Sequence, residues 1–181
     1  MSLLVITVCV TITGSAYPPP ANIPTIECEV LSVPEEVSTD FKAWMDYRTI
    51  TNKTSVQWQL QQDAVTDENG FRKLNGKYMV AVGTYYAKQC GEQLVVLLEN
   101  GTYFEAVVAD IKQDKHTDKT NRYTPVTESS GNILEFIVDS KKLHRDAKIL
   151  GDISAVELQG NIVSILKQIK SDKEKFDDKN Q

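Results

Sequence analysis

Residues 78–110 read YMVAVGTYYAKQCGEQLVVLLENGTYFEAVVAD, and this run of apolar segments separated by polar turns sets the fold class. The segments at 78–83, 93–98 and 102–110 are short and rich in Val, Leu and aromatic residues, which is typical of β-strands. Between the last two, residues 99–101 contain Asn-Gly, a pair that tolerates positive φ and reverses hairpins. We therefore expect consecutive strands here.

The same pattern of short apolar segments separated by polar turns continues on both sides of this stretch. Further strand-like runs are predicted at 56–60, where apolar residues alternate with Gln, and at 133–138, 153–158 and 162–166. One short helix is predicted over 41–47, because the preceding Ser, Thr and Asp residues are good N-caps. Six or seven short strands and one helix predict an all-β, mainly-β domain, and runs that are apolar on both faces favour a small closed barrel over a sandwich.

The flanks differ from the central domain in composition. Residues 1–16 hold a short apolar run followed by small residues, which predicts a secretory leader, although an edge strand rich in β-branched residues is the alternative. Proline marks residues 17–36 as an extended linker. We expect the folded domain at 37–168 and a disordered charged tail at 169–181.

Charge and cysteine content exclude several classes of protein. The 181-residue chain has a formal net charge of -5 and no basic run, which argues against binding to nucleic acid or to anionic membranes. The apolar N-terminal run is too short to span a bilayer, so we expect no integral membrane protein. Cys28 and Cys90 could form one disulfide if the leader is removed, but two unpaired thiols are the favoured interpretation.

The order of these segments resembles the double-psi β-barrel, and more narrowly the three-aspartate domain and the catalytic barrel of membrane-bound lytic transglycosylase A. The resemblance covers roughly residues 80–165 and rests on short motifs at 80–83, 90–96, 100–101, 106–110, 133–137 and 147–153. Residues 41–151 are also similar to uncharacterised secreted proteins of clostridia and related Firmicutes. This resemblance implies a six-stranded double-psi β-barrel, a secreted or cell-surface location in a bacterium, and peptidoglycan or another cell-wall glycan as partner.

The resemblance also implies a catalytic pair. Glu135 stands where these transglycosylases have the single carboxylic acid that acts as acid and then as base, and Asp110 stands where they have a neighbouring carboxylate. The family's Asp-x-Gly-Gly turn is missing, since Lys112 and Gln113 follow Ile111 here. The alternative is that Asp110 caps a strand end and that Glu135 is an outward-facing strand residue.

Other residues are candidates for binding substrate. Tyr85 and Tyr86 follow a strand end, where at least one of them should be exposed to stack on a sugar ring. Asp114 and His116 lie in the polar loop after Asp110, and Asp139 ends the segment that holds Glu135. With Asp118, the loop pair has the spacing of a loose metal site, but a solvated loop is favoured, so we predict no metal and no cofactor.

Two functions from different classes follow. The first is a lytic transglycosylase-like enzyme that acts on cell-wall glycan. The second is a non-catalytic barrel that binds glycan or serves as a structural or interaction module, with protein partners in a phage, conjugation or surface assembly. The carboxylate pair favours the enzyme, and the missing Gly-Gly turn favours the non-catalytic barrel.

Overall fold

The computed structural model describes residues 28–169. The predicted leader, the linker up to residue 27 and the tail from residue 170 lie outside this part of the chain. The strands are β1 Cys28–Leu31, β2 Ala43–Asp46, β3 Val65–Thr66, β4 Arg72–Leu74, β5 Lys77–Val82, β6 Gln93–Leu98, β7 Tyr103–Ile111, β8 Thr124–Thr127, β9 Ser130–Asn132, β10 Leu134–Val138 and β11 Ile162–Gln168. The helices are α1 Val56–Asp63 and α2 Arg145–Leu150, and 3-10 turns cover Tyr47–Thr49, Asp114–His116 and Ile153–Ala155.

One mixed sheet dominates the described residues, which confirms the predicted mainly-β class. Within residues 28–169 this sheet is an open path of strands whose two ends do not pair, and not the closed barrel expected from the sequence. Its main path runs β1-β11-β6-β7-β5-β10-β2, with β3 and β4 attached beside β5, and β8 pairs with β9 in a separate hairpin. Two pairs are parallel, β5 with β7 and β2 with β10, and their neighbours are antiparallel. As expected, β6 and β7 form a hairpin through residues 99–101.

The sheet buries apolar side chains on both faces. The larger core lies on the face that carries Val80 and Val82, and it contains an edge-to-face cluster of Phe71, Tyr78 and Phe136. A smaller core on the opposite face contains Met79, Ala81, Val107, Ala109 and Ile137, with Leu60 and Ala64 from the α1 region packed on it. The two-faced apolar runs of the sequence are explained by this double burial.

Helix and strand are exchanged in the N-terminal third of the described chain, so two of the sequence predictions are wrong. Residues 41–47 contain β2 instead of a helix, because Trp44 and its neighbours pair in parallel with β10. Residues 56–60 belong to α1 instead of a strand. The Ser55 hydroxyl caps this helix by accepting a hydrogen bond from the Trp58 N–H at 3.2 Å, and Gln61 is buried one turn later.

Two further predictions fail at the edges of the domain. Residues 153–158 contain a 3-10 turn at Ile153–Ala155 followed by a bend, and not a strand. Residues 28–31 of the predicted linker form β1, which pairs antiparallel with β11, so they belong to the folded unit. Cys28 and Cys90 are both free thiols, as favoured from the sequence. Between residues 28 and 169 no helix is long and apolar enough to cross a membrane.

Candidate functional site

Asp110 and Glu135 lie in one row across the sheet. Glu135 of β10 is opposite Ala81 of β5, and Ala81 is opposite Asp110 of β7. On its other side Glu135 is opposite Ala43 of β2. Because directly opposed residues point to the same face, both carboxylates share the face of the smaller core. With one strand between them, their Cα atoms are about 10 Å apart.

A bulge in β7 puts Asp110 into this row. Val80 is opposite Val108, yet the next residue, Ala81, is opposite Asp110, so Ala109 is an extra residue in its strand. In a regular ladder Asp110 would lie opposite Val82, on the face of the larger core. Bulges are frequent next to active sites, where they redirect a side chain. The sequence carried no recognisable signal for this bulge.

The environment of Glu135 makes it a weaker acid than an exposed glutamate. Burial raises the pKa of Glu135, the charge of Lys112 lowers it, and the charge of Asp110 raises it again. The net effect is a raised pKa, which favours the protonated carboxylic acid. A general acid that works near neutral pH needs a shift in this direction.

Lys112 is the member of the site that sequence reasoning missed. Its ammonium group donates to the Thr124 hydroxyl at 3.2 Å and to the Asn132 carbonyl oxygen at 3.3 Å. Burial lowers the pKa of Lys112 to about 8, although the charge of Glu135 opposes this shift. The available signal was its position two residues after Asp110, because in an extended chain such residues share a face.

Helix α1 supplies another missed residue. The side-chain amide of Gln57 lies 3.4 Å from Oδ1 of Asp110, a long donor–acceptor distance, and so connects the helix to the carboxylate row. The charge of Asp110 also acts on Cys90. Burial, and then the charges of Asp110 and Glu92, raise the pKa of the Cys90 thiol to about 11. This cysteine therefore stays protonated, which is the opposite of what a nucleophile requires.

The two predicted tyrosines separate into a surface and a core residue. Tyr85 is 37% exposed and its hydroxyl shares a 2.7 Å hydrogen bond with the Ser32 hydroxyl. Tyr86 is fully buried, and its hydroxyl donates to the Ser32 carbonyl oxygen at 3.2 Å. The prediction that Tyr86 stacks on a sugar is therefore wrong, and Tyr85 alone keeps an accessible face.

The polar loop after Lys112 is held by hydrogen bonds to its Asp side chains. Asp114 accepts a 2.7 Å hydrogen bond from the Thr84 hydroxyl, and His116 is exposed in the same 3-10 turn. Asp118 accepts from the Thr120 hydroxyl and from three backbone N–H groups of residues 120–123. Burial raises the pKa of Asp118, but the Thr120 hydroxyl and these backbone bonds lower it, and the net pKa is lowered. Among residues 28–169, no three His, Cys, Asp or Glu side chains are placed to share a metal ion.

Asp139 lies away from the carboxylate row. It is four residues past Glu135, or about 13 Å along an extended strand. Its carboxylate forms an ion pair with Arg48 at 3.1 Å, and its N–H donates to the Gly70 carbonyl oxygen. The structure thus brings Glu135 and Asp110 together with Lys112, and leaves Asp139 at the opposite end of β10.

Comparisons with known proteins add no relative, since no protein-family model, curated protein or solved structure matches the chain.

Proposed function

We propose that this protein is a secreted or cell-surface bacterial double-psi β-barrel that cleaves cell-wall glycan in the manner of a lytic transglycosylase. The observation that carries the proposal is the row Glu135–Ala81–Asp110, in which burial and the charge of Asp110 both raise the pKa of Glu135. The small Ala81 between the carboxylates leaves no bulky side chain between them.

The proposed reaction uses Glu135 twice. The protonated carboxyl donates its proton to the glycosidic oxygen between two amino sugars, and the bond from that oxygen to C1 breaks. The resulting carboxylate accepts the proton of the C6 hydroxyl of the same sugar, whose oxygen closes on C1 to give an anhydro sugar. No water is consumed, so a second carboxylate at hydrolase spacing is unnecessary. Asp110 stabilises the positive charge that develops at C1.

The parallel strand pairs are the part of the topology that supports the proposed double-psi barrel, whereas the open strand path of residues 28–169 does not. A parallel pair, β5 with β7, and a second parallel pair, β2 with β10, are joined by the antiparallel contact of β5 with β10. A double-psi β-barrel combines parallel strand pairs, joined by long connections, with an otherwise mainly antiparallel sheet. The secreted location rests on the apolar run near the N-terminus and on the resemblance stated above.

A specific observation favours the non-catalytic barrel as second candidate. Lys112 stands where the resembling enzymes have a glycine, and its half-buried ammonium group stabilises the ionised form of Glu135. An acid beside a cation gives up its proton at lower pH, which opposes its role as proton donor. On this alternative the carboxylate row binds glycan or a protein partner of a phage, conjugation or surface assembly without cleaving it.

A digest of purified peptidoglycan tests the proposal. Soluble products are analysed by mass spectrometry for anhydro-muropeptides after incubation with the wild type, Glu135→Gln and Asp110→Asn. Glu128→Gln, a substitution at an exposed carboxylate outside the row, is the matched control. We expect anhydro products from the wild type and the control, none from Glu135→Gln, and a reduction of about 10- to 100-fold from Asp110→Asn.

The outcomes separate the two candidates. If no variant releases products and the protein co-sediments with peptidoglycan, the enzyme proposal is refuted and the binding barrel stands. Products that persist in Glu135→Gln would assign the acid to another residue.

A further inference from the structure

The chain contains three Asn-Gly pairs, at 69–70, 75–76 and 100–101. Such a pair is open to one spontaneous reaction, in which the Gly main-chain nitrogen attacks the side-chain carbonyl carbon of Asn. Gly permits this approach because it has no Cβ and a permissive backbone. The reaction is easiest where the Gly N–H and the Asn side chain are both free, so the hydrogen bonds of each pair decide which of them reacts.

The Asn100-Gly101 pair is held by hydrogen bonds on both reacting groups. The Asn100 side-chain oxygen accepts from the Thr102 N–H at 2.9 Å and from the Thr102 hydroxyl at 2.7 Å. Its Nδ2 donates to the Gln159 carbonyl oxygen at 3.0 Å. The attacking nitrogen is also engaged, since the Gly101 N–H donates to the Leu98 carbonyl oxygen at 3.0 Å. This pair is therefore protected.

The Asn69-Gly70 pair is restrained as well. The Gly70 N–H donates to the Asp67 carbonyl oxygen at 3.2 Å, and Asn69 Nδ2 donates to the Glu157 carboxylate at 3.3 Å. Gly70 is buried, and a Cβ in its place would lie only 2.7 Å from the main-chain nitrogen of Leu143. The attacking nitrogen is thus bonded, and the turn around it is tightly packed.

The Asn75-Gly76 turn carries none of these restraints. It joins β4 to β5 as a two-residue hairpin loop, with φ of 51° at Asn75 and 80° at Gly76. Both residues are exposed, and apart from the neighbours in the chain no heavy atom lies within 4 Å of where a Gly76 Cβ would be. Within residues 28–169 neither the Asn75 side chain nor the Gly76 N–H forms a hydrogen bond.

We propose that Asn75 is the site at which this protein deamidates spontaneously in its folded state. The Gly76 nitrogen bonds to the side-chain carbonyl carbon of Asn75, the bond from that carbon to Nδ2 breaks, and Nδ2 leaves as ammonia with the proton of the Gly76 N–H. Water then opens the resulting succinimide ring. Opening at the side-chain carbonyl gives Asp, and opening at the main-chain carbonyl gives isoaspartate, so water is the only co-reactant.

The two products differ in their effect on the hairpin. Asp tolerates positive φ, so it keeps the two-residue loop. Isoaspartate leads the main chain through the former side chain and adds one methylene group, so Leu74 and Lys77 no longer lie opposite each other across a tight turn. Strand β4 also carries Arg72, whose Nε donates to the Gln61 side chain of α1 at 3.0 Å. Isoaspartate at this turn would therefore loosen the contact between β4 and α1.

Incubation of the purified full chain in mildly alkaline buffer tests the proposal, because higher pH favours loss of the Gly N–H proton. Chymotryptic peptides separate the three pairs, since Phe71 lies between the first two and Tyr78 between the last two. Mass spectrometry detects each conversion as an increase of about 1 Da, and an isoaspartate methyltransferase labels the isoaspartate product. We expect Asn75 to react about tenfold faster than Asn69 or Asn100, whose hydrogen bonds must break first.

The same incubation in urea is the control. Unfolding removes the hydrogen bonds, so the three pairs should then react at similar rates. Equal rates in the folded protein, or a faster reaction at Asn69 or Asn100, would overturn the proposal. An Asn75 that reacts in urea and stays intact in the folded protein would overturn it too, because the turn would then protect the pair.

Urea denaturation tests the effect on the hairpin. The isoaspartate form should unfold at a lower urea concentration than Asn75→Asp, which carries the same added charge without the longer main chain. Asn75→Asp itself should match the wild type, since its turn is intact. Equal midpoints for the isoaspartate form and Asn75→Asp would contradict the loosening of β4.

Discussion

Replacing Lys112 by Met should stabilise the protein at neutral pH. Burial lowers the pKa of Lys112 from 10.5 to about 8. The gap between these values, at about 1.36 kcal/mol per pH unit, corresponds to a penalty of roughly 3 kcal/mol for the charged amine in the folded state. Methionine has a similar length and no charge, but it leaves the Thr124 hydroxyl and the Asn132 carbonyl oxygen without their donor. At about 1 kcal/mol for each lost bond, the net gain is about 1 kcal/mol.

The gain should depend on pH in a defined direction. Below pH 8 the folded and unfolded chains both hold the proton on Lys112, and the wild type carries the whole penalty. Between pH 8 and 10.5 the unfolded chain binds a proton that the folded chain has released, so the free energy of unfolding of the wild type rises with pH relative to the variant. Above pH 10.5 no penalty remains and the wild type is the more stable protein.

Urea denaturation of both proteins at pH 7, 9 and 10.5 measures this difference. Lys115→Met, at an exposed lysine of the same loop, is the matched control and should show no such trend. A difference between wild type and Lys112→Met that stays constant across the range would refute a folded-state pKa near 8. A variant that is less stable at pH 7 would show that the two hydrogen bonds outweigh the burial of charge.

Three further changes test separate parts of the structure. Asp110→Asn removes a negative neighbour and should lower the pKa of Glu135, which a carboxyl-carbon NMR titration measures; an unchanged midpoint would mean that the two side chains do not interact. Gly83→Ala would drive a methyl group into the Asn121 carbonyl oxygen, so we expect a loss of about 2–4 kcal/mol in chemical denaturation, and a near-neutral result would contradict this packing. Ser55→Ala removes the helix cap and should cost about 1 kcal/mol, whereas Ser55→Thr should retain most of it.

The central strands were predicted well from the sequence because each of them is a short, nearly continuous run of apolar residues. Strands β5 and β10 and the middle of β7 are buried on both faces, β6 alternates buried and half-buried residues, and the predicted runs cover all four strands. Prediction failed for β2 and α1, where local signals conflicted with tertiary pairing. Alternating Gln residues at 57–61 mimic a strand, yet Gln57 and Gln61 lie one helical turn apart and both face the protein.

The candidate site was predictable only in part. Glu135 and Asp110 were predicted because their sequence segments resemble motifs of the lytic transglycosylases. Lys112 and Gln57 depend on register, on the bulge at Ala109 and on the packing of α1, none of which local sequence patterns encode. Tyr86 was misassigned because a run of two tyrosines at a strand end does not reveal which of them turns inward.

The strand order also has a consequence for how the chain folds. Within residues 28–169 its two end strands pair with late segments, since Cys28 of β1 lies opposite Gln168 and Ala43 of β2 lies opposite Glu135. Such non-local pairing gives a high contact order and slow folding. A chain that emerges N-terminus first exposes β1 and β2 as unpaired edges until almost all of it has appeared, a period in which proteases and other nascent chains can reach them. The carboxylate row is therefore assembled late, when β10 inserts between β5 and β2.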